Sequence, residues 1–226
     1  MEPLQLALDT SASLPTVAIL RGNTLLHEWI GPAEQHHSST LLQGISACLQ
    51  KSELEAQKLS FLSIGTGPGM FTGLRVGIAT AKFFADIHNL PVAPVSSLLA
   101  LALAAKTQNK EKNIWALSDA KSQRVYALHI KKNTLCPELE PNDNEEQALT
   151  PEEAAKLMLQ NDYLLGEGAE LFAKHWPKYI ELAEKPLHTL RAFHIGEAGY
   201  TLFQKKKTIT ATQLQPRYLK TGQAHL

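Results

Sequence analysis

The order of apolar and polar positions divides the chain into short extended runs and longer helical ones. Residues 4–8 (Leu-Gln-Leu-Ala-Leu) alternate and lead straight into Asp9, Thr10 and Ser11, which predicts a strand ending in a polar turn. Residues 15–20 and 24–29 predict two more strands, joined through Arg21, Gly22 and Asn23; the Gly-Asn pair tolerates positive φ and suits a tight hairpin. Leu41, Leu42, Ile45, Cys48 and Leu49 then fall at helical spacing, with Thr40 and Gln43 offering a capping box at the start. An apolar run over 59–65 predicts a buried strand, followed by a helix over 73–88, a strand over 91–95 and a helix over 97–105. Three antiparallel strands, then helix, strand, helix, strand, helix, argue for an α/β layered sheet whose later strands are parallel.

The second half carries weaker signals. Residues 113–118 and 124–131 predict a strand pair joined through 119–122. Residues 132–147 are polar, with two prolines and a run of acids, and read as a long loop or lobe boundary. Thr150 as a cap with Pro151 in the first turn opens a helix. A short strand is expected over 163–165, and helices over 167–176 and 195–205. A chain of 226 residues is long enough for two lobes, which we place at 1–108 and 109–226.

Charge removes one class of function. Lys plus Arg and Asp plus Glu number 22 each, so the net charge is zero, whereas a chain that grips nucleic acid by itself needs a basic excess. Lys205, Lys206 and Lys207 fit the negative end of a helix dipole. The two cysteines, Cys48 and Cys136, have no CxxC spacing and define neither a disulfide framework nor a zinc site; Cys48 reads as a small buried hydrophobe. No basic leader and no run of about 20 apolar residues is present, so the expected location is cytoplasmic, away from membranes. The nine histidines include His36 and His37 and form no HxxxH or HExxH pattern, and no GxSxG occurs. The serines at 38, 39, 96 and 97 read as helix caps or turn residues.

The segment with chemical character is the turn Gly65-Thr66-Gly67-Pro68-Gly69-Met70-Phe71-Thr72-Gly73, between an apolar strand and an amphipathic helix. Its glycines allow close backbone approach, amides at a helix start favour phosphate or carboxylate, and Arg75 could add a fork of donors. It is neither a Walker loop nor GxGxxG, and glycines can equally serve to pack a helix on a sheet. Both readings are open at this point.

Leu8-Asp9-Thr10, His37-Ser38, the string Gly67-Pro68-Gly69-x-Phe71-Thr72-Gly73-Leu74-Arg75-Val76-Gly77, Val95-Ser96-Ser97-Leu98 and Pro216-Arg217-Tyr218-Leu219 closely resemble the TsaB family. These are smaller, actin-like-fold partners in bacterial tRNA threonylcarbamoyladenosine biosynthesis. The match is dense in the first half and sparse after it, and Lys121 stands where the family more often has arginine. The resemblance implies an actin-like, ribonuclease H-like α/β fold of two lobes, each with a mixed sheet and flanking helices. It implies a subunit without catalytic residues of its own, paired with a TsaD-type catalytic subunit and a TsaE-type ATPase, touching tRNA indirectly and self-dimerising when isolated. That complex moves a threonylcarbamoyl group onto the adenosine beside the anticodon of tRNAs reading codons that begin with A. ATP and a metal ion are expected in the partner subunits and no cofactor on this chain alone, because the two metal-ligand positions of the catalytic relative correspond here to Ser97 and Leu101.

The expected partner surface is on the first two helices: Leu41, Leu42, Ile45, Leu49, Phe71, Leu74, Ile78, Phe83 and Phe84. The expected phosphate or nucleotide contacts are Asp9, Thr10, Gly67, Gly69, Thr72, Gly73 and Arg75. Two rival functions fit the same fold: an actin-like ATPase or kinase acting by itself, and a glycoprotease-like peptidase. The first lacks a recognisable second phosphate loop, with Gly166-Glu167-Gly168 the nearest fragment, and the second lacks a metal pair.

Overall fold

The alternation at the start of the chain becomes β1 (Leu4–Asp9), buried on both faces. Leu4, Leu6 and Leu8 enter one apolar cluster and Ala7 another, so helices cover this strand from both sides. The computed structural model describes residues 2–32, 37–106, 109, 111–132 and 146–219. β2 (Thr16–Arg21) and β3 (Thr24–Ile30) form the expected hairpin, with Gly22 at φ 56°. Then come α1 (His37–Lys51), β4 (Phe61–Gly65), α2 (Phe71–Ile87), β5 (Val92–Val95) and α3 (Ser97–Lys106). β4 pairs parallel to β1 and β5 parallel to β4, which gives the sheet order β3-β2-β1-β4-β5.

The second half repeats that order. β6 (Asn113–Asp119), β7 (Val125–Ile130) and β8 (Glu146–Leu149) are antiparallel; α4 (Pro151–Leu157), β9 (Asp162–Leu165), α5 (Glu167–Leu171), β10 (Glu181–Leu182) and α6 (Ala192–Gln204) follow. The sheet order β10-β9-β6-β7-β8 is the first sheet's order again, with β9 and β10 parallel. The observed class is the expected one, α/β with two mixed sheets and flanking helices.

The terminal helices are exchanged between the halves. α3 follows the first sheet but packs on β6 and β7 of the second; α6 follows the second sheet but lies across β1, β2, β4 and β5 of the first. The two helices also touch each other, and one apolar cluster runs through both. A cut at 108/109 therefore separates the strands but not the helices. α6 fits closely because Gly196 lies against Leu20 and Gly199 against Ser63, while Phe61 and Phe203 stack at 4.1 Å.

Some local expectations need correction. Thr40 does not cap α1, which already begins at His37. Residues 146 and 147, read as loop, belong to β8, and the two-residue β10 carried no signal. The helix expected over 167–176 is α5 followed by a separate short 3-10 turn. Residues 133–145, with Cys136, as well as His36 and His225, lie outside the described residues. The cap at Thr150 is as predicted: its hydroxyl accepts from Glu153 N, Glu153 returns the bond, and Pro151 fills the first turn. Ser96 Oγ likewise accepts from Leu99 N at the start of α3. Cys48 is buried, its thiol pushed up to about 12 chiefly by that burial, as a structural cysteine should be. Among the described residues no helix is long and apolar enough to cross a membrane.

Candidate functional site

β1 ends at Asp9, whose carboxylate is fully enclosed. Oδ1 accepts from Ser11 N and from Ser11 Oγ, each at 2.7 Å, and Oδ2 accepts from Ser97 Oγ at 2.7 Å. Ser97 Oγ in turn accepts from Gly67 N at 3.1 Å. Ser97, which the resemblance sets at a metal-ligand position of the catalytic relative, thus joins Asp9 to the glycine turn. The other, Leu101, is buried and offers no ligand atom, so these two residues do not fit a metal. In the second half the matching strand end carries Asp119, which is paired instead with Lys121 Nζ at 2.6 Å.

The turn after β4 closes onto the turn after β1. Asp9 sits against Gly65, Thr10 against Gly77 and Ser11 against Gly69, each so close that a Cβ would fall inside contact distance. Thr10 Oγ1 donates to Gly73 O at 2.7 Å. Three amides of the turn ahead of α2 are used internally: Thr66 N donates to Val95 O, Gly67 N to Ser97 Oγ and Met70 N to Ser11 O. The cavity left at this crevice, lined by Ser11, Pro68, Ser97, Leu101, Glu167 and His188, has a volume of about 10 Å³, room for about one water. In this conformation Asp9, Thr10, Gly67, Gly69 and Gly73 are engaged with one another and with Ser11 and Ser97. Thr72 is exposed, and Arg75 points elsewhere, its guanidinium 3.8 Å from the Phe71 ring centre.

The C-terminal segment, which carried a weak family signal, completes the closure. Arg217 N donates to Thr66 O at 2.8 Å, and Arg217 Nε lies 2.8 Å from Glu146 Oε2. Glu146 Oε1 accepts from Ser96 Oγ. Tyr218 lies tilted against Phe71, ring centres 5.3 Å apart, and its hydroxyl accepts from Arg75 Nε at 3.3 Å. Sequence reasoning quoted Arg217 and Tyr218 only as a family ending. It missed Glu146, an acid within a run of acids whose buried role depends on a residue far along the chain.

The expected partner surface splits in two. Leu41, Ile45, Leu74 and Ile78 are buried in the chain's own core and are corrected from surface to core residues. Leu49 and Phe84 are half-buried and pack on the same cluster. Leu42, Phe71 and Phe83 are exposed, and Ile87, not predicted, joins them. On α2 Phe71, Arg75, Ala79, Phe83 and Ile87 are exposed at every fourth position along the solvent face, with Thr72 and Asp86 exposed beside them.

Burial pushes the Asp9 carboxyl above its ordinary value of 3.8, against the pull of the bonds from Ser97 and Ser11, and nearby Glu167 adds to the rise. A raised folded-state pKa means the native chain holds this proton to higher pH than the unfolded chain. Asp9's contribution is complete below 3.8 and is lost as pH climbs through the folded-state value. In urea melts the stability of the wild type relative to Asp9→Asn should therefore improve between about pH 7 and about pH 4.5. A pH-independent difference would show a normally titrating carboxyl.

These features define a duplicated α/β protein of the actin-like class whose interlobe crevice is closed by its own carboxylate, hydroxyls and C-terminal arginine. Comparison with known proteins agrees and narrows the class. The family model described as TsaD, tRNA N6-adenosine threonylcarbamoyltransferase, matches residues 31–174. The tRNA threonylcarbamoyladenosine biosynthesis protein TsaB of Haemophilus influenzae is 32% identical, covering 95% of this chain and 92% of its own length. The Escherichia coli TsaB is 27% identical over 97% and 95%. The solved structure of YeaZ from Pseudomonas aeruginosa has the same fold, with a TM-score of 0.79 at 24% identity, over 97% of this chain and 100% of that one. The chain belongs to the TsaB family of tRNA threonylcarbamoyladenosine biosynthesis proteins.

Proposed function

We propose that the chain is a non-catalytic but required subunit that binds and supports a TsaD-type catalytic subunit. Together with a TsaE-type ATPase, that complex transfers the threonylcarbamoyl group to the adenosine beside the anticodon of tRNAs reading codons that begin with A. The observation that carries the reading is the exposed stripe on α2. Phe71, Phe83 and Ile87 keep large apolar surface in water on a helix face that also carries Arg75 and Ala79, and exposed apolar surface gathered on one face supports an interaction site. Leu42 on α1 is exposed as well and belongs to the same surface in this reading. The occupied crevice supports a supporting rather than a chemical role, because Asp9 and Ser97 are committed to each other and Leu101 brings no ligand atom. ATP and the metal ion belong to the partner subunits. Zero net charge fits a chain that leaves most of the tRNA contact to its partner. Without that partner, two copies pair through the same stripe.

Depleting the protein and digesting total tRNA should show loss of threonylcarbamoyladenosine by mass spectrometry. An unchanged level of the modified nucleoside would remove the chain from this pathway.

A further inference from the structure

We infer that the second lobe carries a small-molecule site on the face of its sheet beside α4, a pocket for an uncharged, flat heteroaromatic of one or two rings with a hydrogen-bonding edge. The pocket follows from the duplication. In the first half the helix after the hairpin, α1, has 15 residues and lies along β2 and β3. Its counterpart α4 has 7 and stops at Leu157, so among the described residues it covers less of the equivalent face. Pairing puts Trp115 opposite His129 and Ala127 opposite Gln147, all on one face with Leu149. These five side chains and Leu157 enclose a cavity of about 210 Å³. That exceeds the roughly 150 Å³ that holds benzene and falls below the roughly 300 Å³ of a drug-sized site.

The chemistry of the lining selects the class. None of the six lining side chains carries a fixed charge. Trp115 and His129 stack at 4.4 Å with their planes 12° apart, a packed aromatic pair in the wall of the pocket. The pair is held in place, because Trp115 Nε1 donates to Asp162 Oδ2 at 2.7 Å and the same carboxylate accepts from Asn113 Nδ2 and Leu159 N. His129 Nε2 is buried without a hydrogen-bond partner, a costly state that a ligand with a donor or acceptor relieves. Burial holds this imidazole below its ordinary pKa, with Asp162 opposing and Lys131 assisting, so the ring faces the ligand uncharged. Gln147, exposed on the edge strand β8, stands at the rim.

The site is independent of the subunit role proposed above, and its test uses the intact chain. Indole and adenine are the probes and benzene the control, with affinity from ligand-observed NMR and location from the His129 Nε2 resonance. Indole or adenine should bind saturably, with Kd on the order of 0.1–1 mM for a ligand of about ten non-hydrogen atoms. His129→Phe keeps a stacked ring but removes the nitrogen, and should weaken binding about tenfold while leaving benzene unaffected. Gln147→Trp, an exposed substitution, should plug the mouth and abolish binding. Should His129→Phe fail to fold, Gln147→Trp decides. Absence of a saturable shift with both heteroaromatics, benzene binding as tightly as indole, or undiminished binding to Gln147→Trp each overturns the assignment.

Discussion

Gly65→Ala is expected to lower the midpoint of thermal unfolding by roughly 6–20 °C, although it adds a single methyl group. Leu8 pairs with Ile64 in the parallel ladder, so the last residues of β1 and β4 lie side by side, and the added Cβ lands on Asp9 Oδ2 with Ser97 Oγ 2.8 Å away. The carboxylate has nowhere to retreat, since both oxygens are bonded and the group is buried. Overpacking costs about 1–3 kcal/mol and stranding a buried acceptor about 1–3 more. The two sum to about 2–6 kcal/mol, and at about 2–4 °C per kcal/mol for a chain of this size the middle of that span, about 3–5 kcal/mol, gives the stated range. Calorimetry or circular dichroism reads it directly. A shift under about 3 °C would mean that the Asp9 cluster rearranges at little cost.

Phe83→Glu is expected to leave the fold intact and to weaken association with a TsaD-type subunit at least about thirtyfold. Phe83 is 67% exposed on the outer stripe of α2, so the isolated chain should change by no more than about 0.5 kcal/mol. An aromatic anchor in an interface costs about 2 kcal/mol or more when removed, and a carboxylate left in a dry contact adds desolvation. Light scattering of the mixture, with titration calorimetry for affinity, separates the outcomes. An unaltered complex moves the interface off this face of α2. Leu41, Ile45, Leu74 and Ile78 behave differently: truncating any of them opens the chain's own core, so lost binding there reports unfolding rather than contact.

Those four leucines and isoleucines show where the sequence was legible and where it was not. Helical spacing identified both helices, but it cannot say which apolar residue faces inward when a helix is apolar on two sides. Leu41 and Leu42 are neighbours with opposite fates. Asp9 and the glycine turn were each legible as a strand end followed by turn residues, and the family resemblance is what joined them. Whether the turn opens to an anion or closes on itself was decided by Ser97 and Arg217, contacts made across the fold. The strand β8 was missed because it has four residues and begins with an acid whose burial depends on Arg217. The duplication stayed hidden because its two copies differ so much in helix length that no sequence period survives.

The exchanged helices have a mechanical consequence. Each sheet is roofed by a helix that belongs, in chain order, to the other half, so the lobes are clasped rather than hinged. Swinging them apart would peel α6 off the first sheet, drawing Gly196 from Leu20, Gly199 from Ser63 and breaking the bond from Gln5 Nε2 to Gly196 O. Separating the lobes therefore costs the packing of both helices, and the placement of the outer face of α2 is tied to that packing.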